Sequence, residues 1–375
     1  MYEKEHVKFS PNIYEIRQKE ERIRKYMEQK GVQTLVIGRQ DNFAWFTGGG
    51  DNRVCTTTEM GAAFIVITHE KKYIIGYNMD APRVYDDEVV GQGYELVSVI
   101  RGEKDLLAAI KEVVGNRKAA SDVLLYGFDF VGGEIYNLHY PFLEDEMIRY
   151  RHVGKIAGKI IEKVAYSIEP GQTEIQIASN LLKEFADYGF TTDILLVGSD
   201  ERINKYRHPN PSYKKVEKSI LLAPVAKKWG LRAIQSRMIH FGEVPKEIKK
   251  KQYAVSMIQA HMIANAIPGR RMSELLKMQK ELFKQSGYEN EWKLHWQGSC
   301  TGYQIGDLKM LEDNSAVVGK NMAFAWFTTI TGAKSEETSL VTDSSQEVIT
   351  NSKNWPKHRF DINGKEINIP DILEF

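Results

Sequence analysis

Alternating apolar and polar positions are clearest in the second half of the chain, between Arg207 and Gly242. Apolar residues recur there at about every second position, and Trp229-Gly230 supplies a turn sequence between two such runs. The pattern predicts an antiparallel β-hairpin or meander in this segment. Short strands are predicted again over 292–350, and a final hairpin around Asn363-Gly364.

Helical periodicity alternates with buried-strand patterns in the first half of the chain. This alternation predicts an α/β domain. The predicted elements are a charged helix over 13–30 closed by Gly31, the strand TLVIG, a strand pair GAAFIVIT and KKYIIGYN with a His69-Glu70 turn, a helix over 103–114, and the strand DVLLYGFDF.

A long charged helix over 143–166 carries the chain into a second domain, so the predicted domains are 1–142 and 143–375. Thr173, followed by Gln176, is typical of a helix N-cap with a capping box. Helices are also predicted over 246–266 and 272–286. The run KLHWQGSCTGY is predicted to be an extended strand.

Composition excludes several classes of protein. A net charge of +1 argues against binding driven by nucleic-acid phosphates. Cys55 and Cys300 are too few and too far apart for a disulfide framework or a zinc knuckle. The opening MYEKEHVKFS has no apolar signal region, and no apolar run is long enough to span a bilayer. We therefore expect a cytoplasmic protein that does not bind membranes.

Several motifs, in order and spacing, resemble the creatinase / aminopeptidase P / prolidase superfamily, also called the pita-bread enzymes. They are RIRKYMEQKGVQTLVIGRQDNFAWFTG, EPGQTEIQIA, GLRAIQSRMIHFG, QGSCTGY and AFAWFTTITGAKSEETSLVT. The resemblance covers almost the whole chain. It implies an α/β N-terminal creatinase-like domain followed by an α+β pita-bread C-terminal domain.

The resemblance also implies where metal ligands should stand. Active peptidases of the superfamily bind two divalent metals through two Asp, one His and two Glu, which suits Mn, Co or Zn. Carried over one at a time, these positions fall at Ala223, Ile234, Ser299, Phe327 and Glu336, or Glu337 if the register slips by one. Three of these side chains cannot coordinate a metal, so we expect no metal and no other cofactor.

Creatinase is the metal-free precedent within the same fold, and its essential histidine matches His208 in KYRHPNP. A histidine can act as base toward water or as acid toward a leaving nitrogen. His295 is the second catalytic candidate. If the segment is an extended strand, His295 and Ser299 face one cavity together with Gln297. Each histidine could instead be purely structural.

Three further residues complete the predicted site. Glu336 is a catalytic candidate, and Phe327 is a candidate wall for the substrate. Arg237 keeps the arginine of the superfamily's strand and could bind a carboxylate, with Glu336 as its internal partner. The alternative for Arg237 is a buried structural salt bridge.

The GGGDNRV loop carries Arg53, which could reach the partner's site in a homodimer, as the equivalent loop can in dimeric members of the superfamily. The alternative is an exposed loop without that role. No Gly-Lys-Ser/Thr follows the glycines, so this is not a phosphate-binding loop.

Three functions remain open from the sequence. The first is a metal-independent, creatinase-like hydrolase acting on a small C–N bonded substrate. The second is an inactive peptidase homologue that binds a small molecule, peptide or protein. The third is lyase or deaminase-like chemistry in the same pocket. The sequence HPNPSYKK also resembles that of a bacterial subgroup whose members are often labelled Xaa-Pro aminopeptidase or dipeptidase.

Overall fold

The computed structural model describes residues 11–375. The segment MYEKEHVKFS, on which the expected cytoplasmic location depends, lies outside the described residues. No helix within 11–375 is long and apolar enough to cross a membrane.

Nine α-helices are formed by the described residues. They are α1 Ile13–Lys30, α2 Gln40–Phe46, α3 Ala81–Arg83, α4 Leu106–Val114, α5 Glu144–Ala165, α6 Glu174–Asp187, α7 Glu201–Lys205, α8 Lys246–Asn265 and α9 Met272–Gln285. A π-helical turn spans Val84–Glu88, and 3-10 turns span Gly132–His139 and Glu291–Leu294.

The strands of the first part of the chain are β1 Thr34–Arg39, β2 Met60–Ile67, β3 Lys72–Tyr77, β4 Tyr94–Val99, β5 Ala119–Ser121 and β6 Asp129–Phe130. Those of the second part are β7 Thr191–Ser199, β8 Ser219–Lys228, β9 Leu231–Ile234, β10 Arg237–His240, β11 Ser299–Thr301, β12 Ile305–Lys309, β13 Ala323–Ile330, β14 Ala333–Val341, β15 Gln346–Val348, β16 Lys357–Ile362, β17 Lys365–Pro370 and β18 Leu373–Glu374.

The chain divides into two compact units. One ends at Glu146 and includes Trp229–Leu231, and the other holds Met147–Lys228 and Arg232–Phe375. The first unit contains one mixed six-stranded sheet in the order β4-β3-β2-β1-β5-β6. The sequence predicts an α/β domain here, and the structure has one.

The first helix forms as its sequence predicts. The Asn12 side chain accepts a hydrogen bond from the backbone N–H of Tyr14, and Gly31 ends the helix in the left-handed region with φ +61°. The strand predicted over 122–130 is wrong. Asp122 accepts the backbone N–H of Gly38 at 2.7 Å and ends β5. The chain then turns, and only β6 follows.

Two five-stranded sheets organise the second unit. The first has the order β18-β10-β8-β7, with β9 paired to β8, and the second has the order β12-β11-β13-β14-β15. Helix α8 packs against β13 and β14. The predicted capping box of α6 is present, because Thr173 accepts from the backbone N–H of Gln176 and the Gln176 side chain accepts from that of Thr173.

The hairpin predicted within 207–242 is confirmed. Strands β8 and β9 are joined by Trp229 and Gly230, with φ of +53° and +78°. Two positive φ angles are typical of the tight hairpin turns that match the twist of antiparallel strands. The first part of the segment is not a strand, because residues 206–218 form a loop between α7 and β8.

A buried ion pair joins the two sheets of the second unit. The Arg237 guanidinium on β10 lies 2.6 Å from a carboxylate oxygen of Glu337 on β14, and both side chains are fully buried. Arg237 also donates to the carbonyl oxygen of Thr350 and to the hydroxyl of Ser352, at 2.9 Å each. The second carboxylate oxygen of Glu337 accepts from the Thr350 hydroxyl. Both charges are therefore fully hydrogen-bonded.

We predict that Arg237→Met lowers the free energy of unfolding by about 3–5 kcal/mol, because it leaves a buried carboxylate without its cation. The double variant Arg237→Met/Glu337→Gln should recover most of that loss, because no unpaired charge remains. Urea unfolding of the single and double variants measures both. A single variant as stable as the native chain would contradict the prediction.

Candidate functional site

A cavity of about 430 Å³ opens in the second unit. Its lining combines an apolar wall with a group of charged and imidazole side chains. The lining residues are Ile194, Leu196, Arg207, His208, Ala223, Val225, Ile234, Leu294, His295, Trp296, Ile305, Phe327, Lys334 and Glu336. This set includes four residues that the sequence predicts for the site: His208, His295, Phe327 and Glu336.

Part of the cavity floor is hydrocarbon. Ala223 on β8, Ile234 on β9 and Phe327 on β13 are 2%, 3% and 6% exposed. Ile234 and Phe327 belong to one packed cluster with Val225 and Ala325. The three positions at which the superfamily resemblance expects metal-binding carboxylates thus form an apolar surface in one place.

Two histidines meet at one side of this cavity. The Nε2 atoms of His208 and His295 lie 3.0 Å apart, so one ring donates a hydrogen bond to the other. The two histidine rings are inclined at 69° to each other. The His295 ring also makes a T-shaped contact with the Phe327 ring, with 6.1 Å between the ring centroids. The sequence predicts both histidines but not their contact, which joins residues 87 positions apart.

Residues on both sides of His208 hold it in place. Arg207 is bonded to the carboxylate of Glu291 and donates to the hydroxyls of Thr329 and Thr331 at 3.1 and 2.9 Å. Pro209 is buried against Gly198, where a side chain's first carbon would lie 2.5 Å from the proline ring. The loop around His208 is therefore anchored at residues 207 and 209.

Burial favours the neutral form of His295 most strongly. It is the main cause that lowers the pKa of His295 to about 3, and the nearby ammonium of Lys334 lowers it further. The pKa of His208 is also lowered, first by burial and then by Lys334, while Glu336 acts in the opposite direction. At neutral pH the His295 ring therefore stays neutral, and the His208 ring is the candidate base.

An ion pair lies in the floor beside the histidines. The Nζ atom of Lys334 is 2.7 Å from Oε1 of Glu336, and the two side chains are 3% and 7% exposed. Both residues stand on β14, two positions apart, so they share one face of the strand. Glu336 is directly opposite Phe327 in the antiparallel pair of β14 and β13.

Arg237 lies outside this cavity. Its predicted pairing with Glu336 is wrong, because its guanidinium is bonded to Glu337 and Glu336 is bonded to Lys334. Neighbouring residues of a strand point to opposite faces, so a difference of one position separates the two carboxylates. The sequence left two roles open for Arg237, binding a ligand carboxylate or forming a buried structural salt bridge. The structure has the buried salt bridge. No part of Arg237 lines the cavity.

Gln297 and Ser299 also lie outside the cavity. Gln297 is 3% exposed and accepts the backbone N–H of Thr329 at 2.9 Å. Ser299 is fully buried on β11 and donates to the carbonyl of Cys300. The extended strand predicted from 293 to 303 is wrong: residues Glu291–Leu294 form a 3-10 turn, and β11 begins only at Ser299. The predicted common face with His295 therefore does not exist.

Arg53 lies in the first unit, where its guanidinium is 2.8 Å from the carboxylate of Asp51. Arg207 was missed by the sequence analysis as a lining residue. Its position directly before His208 was the available signal, but its partners Glu291 and Thr329 come from distant parts of the chain. Among residues 11–375, no group of three or more His, Cys, Asp or Glu could hold a metal ion.

The architecture defines a creatinase-like N-terminal domain followed by a pita-bread domain. Comparison with protein families agrees: residues 149–343 match metallopeptidase family M24, and residues 20–128 match the creatinase/prolidase N-terminal domain. The chain belongs to metallopeptidase family M24. A search of curated proteins finds no match.

Solved structures share this fold at low sequence identity. An Xaa-Pro dipeptidase from Bacillus anthracis is 18% identical with a TM-score of 0.75, covering 96% of this chain and 100% of its own. An X-Pro aminopeptidase from Thermotoga maritima MSB8 is 19% identical with a TM-score of 0.72, covering 89% and 97%. The N-terminal domain of FACT complex subunit SPT16 from Cicer arietinum is 11% identical with a TM-score of 0.69, covering 92% and 98%.

We predict that His295 makes stability depend on pH. Its pKa rises from about 3 in the folded chain to 6.5 when unfolded, so only the unfolded chain gains this proton between those values. The contribution of neutral His295 to the free energy of unfolding is complete above pH 6.5. As the pH falls below that value, the free energy of unfolding decreases by up to about 1.4 kcal/mol per pH unit.

His295→Gln should therefore flatten the decline in the free energy of unfolding between about pH 7 and about pH 4.5. Urea unfolding at several pH values measures the slope. His69→Gln, at the exposed β2–β3 turn, is the matched control and should keep the native slope. An unchanged slope in His295→Gln would show that the ring protonates normally in the folded chain.

Proposed function

We propose that this member of the family is a metal-independent hydrolase that cleaves a C–N bond in a small substrate bound in the cavity. The observation that carries the proposal is the contact between His208 and His295 inside a pocket of about 430 Å³. A cavity of this volume fits a small organic molecule. Peptidase-family membership supports hydrolysis as the class of reaction.

The donor set does not fit a dinuclear metal centre. Such a centre needs hard oxygen and imidazole ligands, several of them charged. The floor offers the hydrocarbon side chains of Ala223, Ile234 and Phe327. Glu336, the carboxylate among the described lining residues, forms an ion pair with Lys334. We therefore derive no step through a metal, and proton transfer falls to the histidines.

In the proposed reaction, His208 is the base and then the acid. With His208 donating its Nε2–H to Nε2 of His295, Nδ1 of the neutral His208 ring takes a proton from water as the water oxygen bonds to the carbon of the C–N bond. The ring returns that proton to the nitrogen as the C–N bond breaks. His295 orients the His208 ring through the Nε2–Nε2 hydrogen bond. Burial and Lys334 together lower the pKa of His208, and the Glu336 charge acts in the opposite direction, stabilising the imidazolium while it exists.

Four further features belong to the proposal. We propose a cytoplasmic homodimer with no nucleic-acid partner, in which Arg53 reaches the site of the other subunit. The nearly balanced charge of the chain, +1, supports the absence of a nucleic-acid partner. Light scattering during size-exclusion chromatography tests the dimer, and a monomer at all concentrations would contradict it.

The first prediction of the proposal concerns metal content. Protein dialysed against excess Mn²⁺, Co²⁺ or Zn²⁺ and then desalted should retain far less than one ion per chain by elemental analysis, because the floor supplies no ligand set. Two ions per chain would overturn the metal-independent mechanism.

The second prediction concerns turnover. Release of ammonia or amine from a panel of small amides, ureas and guanidino compounds should identify a substrate. For that substrate, His208→Ala should lower kcat by about 10²–10⁴-fold, because the base is removed. His69→Ala is the matched control and should retain the native rate. Binding without turnover by the native chain would instead support the inactive, ligand-binding homologue, and elimination products would support a lyase.

A further inference from the structure

The ion pair in the cavity floor has unused hydrogen-bonding capacity. Lys334 has three N–H donors, and Glu336 has two acceptor oxygens. The structure assigns one oxygen, Oε1, to the contact with Nζ at 2.7 Å. Within residues 11–375, neither the Lys334 ammonium nor the Glu336 carboxylate has another side-chain or backbone partner. A donor and an acceptor are thus available side by side.

This pair is shielded from solvent. Its two side chains are 3% and 7% exposed, and they project from β14, which pairs along its length with β13. The hydrocarbon floor formed by Ile234 and Phe327 lies against it in the same cavity. Hydrogen bonds made in such surroundings are strong, and polar groups left without a partner are costly.

The charges of the pair cancel, which decides the charge of the ligand. A carboxylate placed here would meet the Glu336 anion, and an ammonium or guanidinium would meet the Lys334 cation. Either would also bring an unpaired charge into an apolar cavity, which is unfavourable. A neutral group with one acceptor and one donor side by side satisfies both members of the pair.

We propose that the ligand of this cavity is a neutral carboxamide or urea that carries an apolar substituent. The carbonyl oxygen accepts from Lys334, and the N–H donates to the free oxygen of Glu336. This assignment deepens the proposed function by naming the substrate class, and it rests on that function only for the hydrolysis.

The apolar substituent has a defined place. From the floor at Phe327 the wall continues to Ile194, Leu294 and Trp296, which also line the cavity. These three large apolar side chains are 40%, 58% and 37% exposed. An aryl or alkyl group lying along them would be buried together with them, which is favourable.

The same placement gives Lys334 a role in the proposed hydrolysis. As the water oxygen bonds to the carbonyl carbon, the negative charge that develops on the carbonyl oxygen lies beside the ammonium. When the C–N bond breaks, the amide nitrogen leaves as amine or ammonia with the proton from His208. The carboxylic acid formed gives its remaining proton to the released amine or ammonia. The resulting carboxylate faces Glu336, so repulsion favours release of the product.

Three probes with one apolar body and different polar groups test the assignment: phenylacetamide, phenylacetate and phenethylamine. Isothermal titration calorimetry on the native chain should show phenylacetamide binding at least about tenfold more tightly than either charged probe, since only the amide satisfies both partners. Equal or tighter binding of a charged probe would overturn the proposal. So would failure of all three to bind at their solubility limits.

A double variant tests whether the ion pair causes the preference for the amide. Lys334→Met/Glu336→Gln removes both charges while keeping similar side-chain lengths, and should abolish the preference for phenylacetamide over phenylacetate and phenethylamine. The matched control is Lys163→Met/Glu184→Gln, which removes an ion pair outside the cavity. Its two charged atoms lie 2.6 Å apart and its lysine is exposed, so this variant should keep the native preference. A preference that survives in a folded Lys334→Met/Glu336→Gln protein would overturn the proposal.

Binding and hydrolysis separate this inference from the proposed function. If the amide preference is present but no amide or urea is hydrolysed, the ligand class stands and the hydrolase proposal fails. If amides are hydrolysed but the charged probes bind equally well, the ligand-class inference fails alone.

Discussion

The buried ion pair between Arg237 and Glu337 fixes which residues of β14 face the cavity. Glu337 cannot leave its position without stranding two buried charges, so the orientation of the strand is set at that residue. Side chains alternate along a strand, and Lys334 and Glu336 must therefore face the other way. Ser335, two positions before Glu337, shows the same alternation. It lies on the same face of β14 as Glu337, and its hydroxyl donates a hydrogen bond to the side chain of Gln259 on α8.

The hydrocarbon floor determines the chemistry that the histidines can perform. In a peptidase of this family a metal pair would supply both charge and an activated water. Here Ala223, Ile234 and Phe327 make the same place apolar, and this burial lowers the pKa of the nearby His295. Beside an apolar surface, two neutral imidazole rings and an ion pair of zero net charge cost less free energy than an unpaired charge would. Both suit an uncharged ligand.

Local signals in the sequence were sufficient for much of the fold. The N-cap and C-cap of α1, the capping box of α6 and the Trp229-Gly230 turn depend on residues close together in the chain. The strand predicted over 122–130 failed because the Asp122 carboxylate binds the backbone of β1, a contact between residues 84 positions apart. No pattern within the segment reveals such a partner.

The site was predicted in composition but not in arrangement. Superfamily resemblance located His208, His295, Phe327 and Glu336, which meet in one cavity. It named Glu336 as the partner of Arg237, whereas the structure has Glu337, because one residue of register reverses the face of a strand. The 3-10 turn before His295 likewise removed Gln297 and Ser299 from the face that an extended strand would have given them.

The central claim is that this cavity works through its histidines and its ion pair without a metal. Crystals grown with excess Mn²⁺ and measured for anomalous scattering test it most directly. The account predicts no anomalous peak between the hydrocarbon floor and His208. Two peaks in the cavity, within bonding distance of Glu336 or the histidines, would contradict it.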